Sequence, residues 1–329
     1  MNSGTIAAID WKPLVLVPAL MLLAFPFVAT PTWVTLTAAG LAMGMIVFII
    51  ASGLTLIFGL MDVLNFGHGV FIALGGYVAV SMLGMMPGWA SADSYLMNFG
   101  AFAAAMIAGM AAAGAIGLVY ERLFIRVVYG QHLKQILITM GAMVIGEELI
   151  KVIWGPAQIN VDLPPVLRGS IFIGEAGIEK FRILAVVVGA IVFASMVLIL
   201  NRTKLGLLIR AGVQDREMVE SLGYHIRRLF VGVFVAGSAL AGLGGVMWGL
   251  YQQNVIPQMG SHLNVLIFIV IIIGGLGSTF GCFLGALLIG LLANYSGFLL
   301  PKVALFSNIL LMVAILAWRP RGLYPVTTR

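Results

Sequence analysis

Three polar residues interrupt an otherwise apolar stretch: Asp62, Asn65 and His68. They fall at spacings of three, so on a continuous helix they would share one face. A carboxylate, a carboxamide and an imidazole so arranged can serve in two ways. They can offer donors and acceptors to a polar solute on a translocation path or at its gate. They can also bind backbone groups freed where a helix breaks. Both readings stay open on the residues alone. An acidic side chain near a bilayer centre costs ~2.5–3.5 kcal/mol on insertion scales, so Asp62 is predicted to face protein or a water-filled path. Gly59, Gly67, Gly69, Gly75 and Gly76 surround the three. A glycine-rich break of this kind points to a discontinuous helix, which transporters use at substrate sites.

Two other groups of charges stand out. Glu147, Glu148 and Lys151 lie toward one end of an apolar run, and Glu147 is predicted to pair with Lys151 at i,i+4. They read as an interfacial anchor or as a substrate-facing group. The segment 202–228 is the longest polar one. Within it 214–222 is predicted to be a short helix, with Asp215, Glu217 and Glu220 alternating with Met218, Val219 and Leu222. Arg216 lies on the same stretch, and Gly223 is placed to stop it. Such a helix either docks into a groove on a soluble partner or rests on lipid headgroups.

The elements that hold these residues follow from composition. Of 329 residues 61% are hydrophobic and 9% charged, too few to solvate a separate soluble domain. Apolar stretches of bilayer-spanning length recur near 14–30, 35–58, 67–86, 96–120, 136–154, 183–201 and 229–251. Three more apolar runs occupy 263–318, broken at 274–281 and 300–302. The first of them is shorter than a full span and reads as re-entrant. The expectation is an all-α polytopic membrane bundle of about eight to ten crossings, forming one domain over 1–329. Lys12 and the run from Leu14 to Ala29 resemble a signal peptide, but residues 28–31 lack a small-x-small cleavage pattern. This stretch is therefore expected to be a retained first helix, bent at Pro18 and Pro26.

Charge sets the predicted orientation. Segments 121–135, 202–228 and 319–329 hold twelve of the 18 basic residues. The positive-inside rule places all three, and the C-terminus, in the cytoplasm. A weak internal repeat is also expected, since Phe66-Gly67 and Gly76 match Phe280-Gly281 and Gly290 at one offset. Catalysis is not indicated. No nucleophile–base constellation appears, and the phosphate-cradling pattern G-x-x-x-x-G-K-[ST] is absent. Cys282 is alone, and His68, His132, His225 and His262 lack metal-ligand spacing. No cofactor is expected, and β-barrel alternation is missing.

One family has motifs like these. Gly53-Leu-Thr, Asn65-Phe-Gly-His-Gly69, Ala73-Leu-Gly-Gly-Tyr77 and Trp154-Gly155-Pro156 occur in order. They are followed by Arg210-Ala, Asp215, Leu222-Gly223, Gly237-Ser-Ala-Leu-Ala-Gly-Leu-Gly-Gly245, Ile273-Gly-Gly-Leu-Gly-Ser278 and Arg319-Pro-Arg-Gly-Leu323. The chain resembles the permease subunits of branched-chain amino acid ABC importers, a family that includes urea and short-amide permeases. The Asn-Phe-Gly-His-Gly form resembles the shorter of its two permease types, which commonly have alanine where Gly67 stands.

The resemblance implies a permease of a bacterial-type inner membrane, working with a second, related permease subunit. Two cytoplasmic ATP-binding subunits and an extracytoplasmic solute-binding protein complete the assembly, and no nucleic acid is involved. It implies that 202–228 contacts the ATPases, with Asp215, Arg216, Glu217, Met218, Glu220, Leu222 and Gly223 as the coupling residues. The alternatives are a family member for urea, amides or small organic acids, and an ion-coupled secondary transporter.

Overall fold

The computed structural model describes residues 11–214 and 216–325. The chain folds as a helical bundle around α2 (Thr30–Met61). At 1.5 Å per residue its 32 residues run about 48 Å, well beyond the ~30 Å hydrocarbon layer. Every residue from Gly44 to Thr55 is buried, so this stretch has no lipid-facing side. A helix that is apolar all round belongs in such a position. Its neighbours are α7 (Lys180–Arg202), α10 (Ile226–Gln252), α11 (Met259–Gly274) and α12 (Thr279–Leu299). The helices α3 (His68–Met85) and α5 (Tyr95–Tyr120) pack on the far side of α10 and on each other.

Among the described residues six helices are long and apolar enough to cross a membrane: α2, α3, α5 with its extension to Val128, α7, α10 and α12. α6 (His132–Trp154) has 23 residues but carries charges near both ends. It buries one stripe, Gln135, Thr139, Ala142, Gly146 and Ile150, while Leu137, Val144 and Ile153 on other sides stay exposed. That pattern suits a peripheral helix with lipid on its outer face. α11 has 16 residues, about 24 Å, short of a full span as the sequence predicted. α13 (Pro301–Trp318) closes the bundle against α12.

One expectation needs correction. Residues 14–30 do not form a span. The α-helix α1 (Leu16–Ala24) has nine residues and is flanked by 3-10 turns at Lys12–Val15 and Phe25–Phe27. Pro18 sits in its first turn, where proline is tolerated, and the helix ends before Pro26. Among the outer connections there is also some strand. β1 (Ile159–Asn160) pairs with β4 (Asn254–Val255), and β2 (Ser170–Ile173) forms a hairpin with β3 (Ala176–Glu179).

The two ends of the bundle differ in charge. Arg122, Arg126, Arg227 and Arg228 line one cavity, so the segments 121–135 and 202–228 meet at one end. The tail joins them there: Leu323 and Tyr324 donate their N–H groups to Ile273 and Gly274, beside the Gly277 that touches Gly59 of α2. The hairpin lies at the other end, where Thr35 Oγ1 donates to Gly177 O at 3.2 Å. The three basic segments therefore share a face of the molecule, as the charge asymmetry requires.

Close helix contact rests on small residues. A Cβ at Gly75 would lie 2.6 Å from Gly242 Cα, which binds α3 to α10 at backbone distance. Gly75→Val is expected to cost at least the ~1–3 kcal/mol of ordinary overpacking, because backbone is what it strikes. Gly141→Ala, where the added methyl meets nothing within 4 Å, should leave stability unchanged. Thermal unfolding of the two purified variants, followed by loss of monodispersity, separates them.

Candidate functional site

The break after α2 holds one of the two non-glycine residues with positive φ among the described residues. Asp62 ends the helix in a left-handed conformation, φ 53°, and its N–H still donates to Phe58 O. The chain then runs without helix to Gly67, and α3 starts at His68. His68 Nε2 lies 3.2 Å from the carbonyl oxygen of Ile50. Ile50 precedes Asp62 by twelve residues, about 18 Å along α2. α3 therefore begins deep inside the bundle, and the linking segment climbs back along α2 to reach it.

Non-helical backbone at that depth must find partners within the protein. Leu64 N–H donates to Gln135 Oε1 at 3.2 Å, and Phe66 N–H to Thr139 Oγ1 at 3.1 Å. Phe66 O accepts from Asn264 Nδ2 at 2.7 Å, and Gly67 N–H donates to Asn65 Oδ1 at 3.0 Å. The geometry has a simple basis. Alternate residues of an extended chain lie about 6.6 Å apart, and residues four apart on a helix about 6 Å. Gln135 and Thr139, one turn apart on α6, thus match Leu64 and Phe66. Gln135 is itself held by Val128 O, and Thr139 by Gln135 O.

The three residues singled out by type and spacing part company here. They share no helix face, because the helix stops at Met61. Asp62 is exposed rather than buried in hydrocarbon, and its carboxylate stands 3.4 Å from His132 Nε2. The reason is positional: the end of α2 overshoots the apolar layer, so the carboxylate reaches the end of the bundle. Asn65 and His68 are both fully buried. Asn65 binds the freed Gly67 N–H, which is the helix-break reading of that residue. Its Nδ2, His68 Nδ1 and Asn264 Oδ1 have no hydrogen-bond partner among the described residues. Buried unpaired polar atoms are costly; here three surround the start of α3.

Gln135, Thr139, Asn264 and Tyr120 escape a reading of charge and spacing. Gln135 and Thr139 carry the one available signal, a polar i,i+4 pair on a helix otherwise apolar in its middle. Asn264 is a lone amide in an apolar run. Tyr120 donates to Thr139 O at 3.2 Å and occupies the space an alanine methyl would need at position 67. Glycine at that position and this tyrosine hydroxyl are thus a matched pair.

The other candidates are resolved differently. Lys151 pairs with Glu148 at 2.6 Å, not with Glu147. Glu147 instead keeps one buried carboxylate oxygen without a partner among the described residues. In the 202–228 loop the chain forms α8 (Lys204–Gln214) and α9 (Arg216–Ser221). Asp215 lies outside the described residues; Arg216 and Glu217 open α9. Gly223 takes φ +86° and its N–H donates to Glu220 O, the predicted C-terminal stop. Val219 faces inward, 4% exposed, while Met218 and Leu222 are 61% and 67% exposed. Glu220 is exposed on the same short helix. No group of three His, Cys, Asp or Glu side chains able to hold a metal occurs among the described residues.

Residues 36–318 match a family profile described as branched-chain amino acid transport system, permease component. The chain belongs to that family. It is similar to the high-affinity branched-chain amino acid transport system permease protein BraD of Pseudomonas aeruginosa. The two are 29% identical over 298 residues, covering 86% of this chain and 93% of that protein. The corresponding LivH permease protein of Escherichia coli K12 is 25% identical, with 86% and 92% covered. The LivM permease protein of the same organism is 27% identical, but only 68% of it is covered. No solved structure matches the chain.

The support of the break can be tested directly. Thr139→Val strands the Phe66 N–H and is expected to cost about 1–3 kcal/mol. Thr139→Ser keeps the acceptor and should stay near wild type. Thermal unfolding of the full chain in detergent reads the difference; equal values would mean that Thr139 does not hold the segment.

Proposed function

We propose that the chain is a transmembrane permease subunit of an ATP-driven importer for a small polar solute, a branched-chain or related amino acid. The observation that carries this reading is the family match across residues 36–318, with near full-length correspondence to BraD and LivH. The chain would act with a second, related permease subunit, two cytoplasmic ATP-binding subunits and an extracytoplasmic solute-binding protein. The end bearing the three basic segments faces the cytoplasm of a bacterial-type inner membrane, in keeping with the positive-inside rule.

In this reading the break at 62–67 is the gate on the translocation path. Asn65 Nδ2, His68 Nδ1 and Asn264 Oδ1 supply two kinds of buried, unpartnered polar atom. A zwitterionic solute needs both donors and acceptors in place of water. Opening the segment would present them, and closing it would return the backbone to Gln135 and Thr139. Asp62, at the end of the break, is placed to sense the basic side. The driving force enters through α8 and α9, which join α7 to α10. Both of those helices pack on α2, so a push on the loop reaches the helix that leads into the gate.

Two measurements test the reading. The chain should co-purify with two ATPase chains and take up labelled leucine only with ATP; uptake by the chain alone in liposomes on an ion gradient would overturn it in favour of a secondary transporter. Leu222→Asp, or Asp215→Lys with Glu217→Lys, should uncouple hydrolysis from uptake while membrane insertion is unchanged. Unaltered uptake in both would remove the coupling role from α9. Asp62→Asn keeps the left-handed turn and, being exposed, should shift stability by less than ~0.5 kcal/mol. Its uptake should nevertheless fall; wild-type uptake would exclude Asp62 from the gate.

A further inference from the structure

Four arginines line a cavity of about 490 Å³ at the basic end of the bundle. Arg122 and Arg126 come from the extension of α5, one turn apart, and Arg227 and Arg228 from the first turn of α10. No ion pair joins any of them to a carboxylate among the described residues. Glu121 lines the same cavity, but its side chain is 1% exposed and accepts the Tyr129 hydroxyl. Among the described residues the lining thus holds four positive charges against one negative. Arg227 and Arg228 do nothing for their own helix, since cations are disfavoured at an N-terminus. Their placement calls for an anionic partner.

Arg228 also stands at the mouth of a second cavity, of about 570 Å³, between α7 and α10. Leu56 and Leu60 of α2 form its floor, and Arg228 is the sole charged residue lining it among the described residues. Along α10 it extends from Arg228 to Leu243, about 22 Å. Exposed Ile191 and Ile199 of α7 border it. One guanidinium therefore joins a strongly basic pocket to a long apolar groove on the membrane-facing side of the bundle.

We propose that this composite site binds an anionic phospholipid. Its phosphate lies among Arg122, Arg126, Arg227 and Arg228, and one acyl chain fills the groove between α7 and α10. Basic pockets between membrane helices take such headgroups. A docking protein would meet the arginines with carboxylates but would leave the groove empty, and so would inorganic phosphate. The lipid would sit between the two helices that the 204–221 loop connects, and so would stiffen their separation.

The test uses the full chain with the subunits it is co-expressed with, in micelles containing equal phosphatidylglycerol and phosphatidylcholine. Native mass spectrometry reads the retained lipid. The wild type should retain phosphatidylglycerol preferentially. Arg227→Gln with Arg228→Gln should lower that preference by roughly thirtyfold, about fivefold for each charge. Arg227→Lys with Arg228→Lys keeps the charge and should keep the preference. Gly232→Phe should plug the groove and reduce retention of both lipids, because a Cβ there meets nothing within 4 Å. The proposal falls if millimolar inorganic phosphate displaces the lipid, which would make the pocket a simple anion site. It also falls if the Gln variants keep their lipid but release a protein subunit, or if Gly232→Phe retains lipid as before.

Discussion

The hydrogen-bond demand of six non-helical residues governs the arrangement of this bundle. Where water is excluded, each free N–H and C=O needs a partner from the protein. Residues 62–67 leave helical geometry between two helices, and four of their backbone groups, the N–H of Leu64, Phe66 and Gly67 and the C=O of Phe66, are met by Gln135, Thr139, Asn65 and Asn264. Those partners come from α6, α11 and the segment itself. Three parts of the chain far apart in sequence must therefore be in place together before the break is tolerable. The near coincidence of the extended two-residue repeat with one helical turn makes α6 a suitable partner. That explains why a peripheral helix, otherwise exposed to lipid, buries a polar stripe toward its first half.

Close packing supplies the other condition. The segment can climb back along α2 only if α3 and α11 come near it without side chains in the way. Gly69 and Gly260 meet at backbone distance there, and Gly53 leaves room beside the His68 ring. The Phe66 ring stacks on Phe268 at 4.5 Å, closing the α11 side. Glycine here does not loosen the structure. It allows contacts so close that the neighbouring helices have little freedom to shift separately.

Much of this was legible in the residues. Apolar run length gave the long helices to within a few residues, because a bilayer fixes that length physically. Arg and Lys placement gave the shared end of the three basic segments. The polar interruption at 62–68 identified the break, since such residues have few reasons to lie in an apolar stretch. What escaped has one physical cause. Spacing along the chain describes a helix, and the chain is not helical from Asp62 to Gly67, so the shared face of Asp62, Asn65 and His68 does not exist. The partners escaped for the complementary reason: a neutral amide or hydroxyl such as Asn264 or Thr139 carries almost no hydropathy signal, and only the fold shows which backbone group it meets. The residues expected to match in an internal repeat are placed differently: Gly67 is the N-cap of α3, whereas Gly281 is the third residue of α12, whose N-cap is Ser278.

A force applied at the basic end has a short route to this break. The loop of α8 and α9 leads directly into α7 on one side and α10 on the other. α2 touches both, and it is the helix whose end the break follows. α7 is the less constrained of the two, since its most apolar stretch is only 22% buried and an apolar groove separates it from α10. α10 is held by α2, α3 and α5 together. Any relative motion of the pair would therefore be taken up by α7, and α2 would feel it as a change of support along its lower half, around Leu56 and Leu60. Those residues lie within two turns of Asp62. Farther from the break, Gly53 packs against Gly237 and Ile50 against Gly244, both on α10. On the coupling proposed above, strain introduced at the loop would reach the end of α2, where the backbone already departs from helix and where its hydrogen bonds come from side chains.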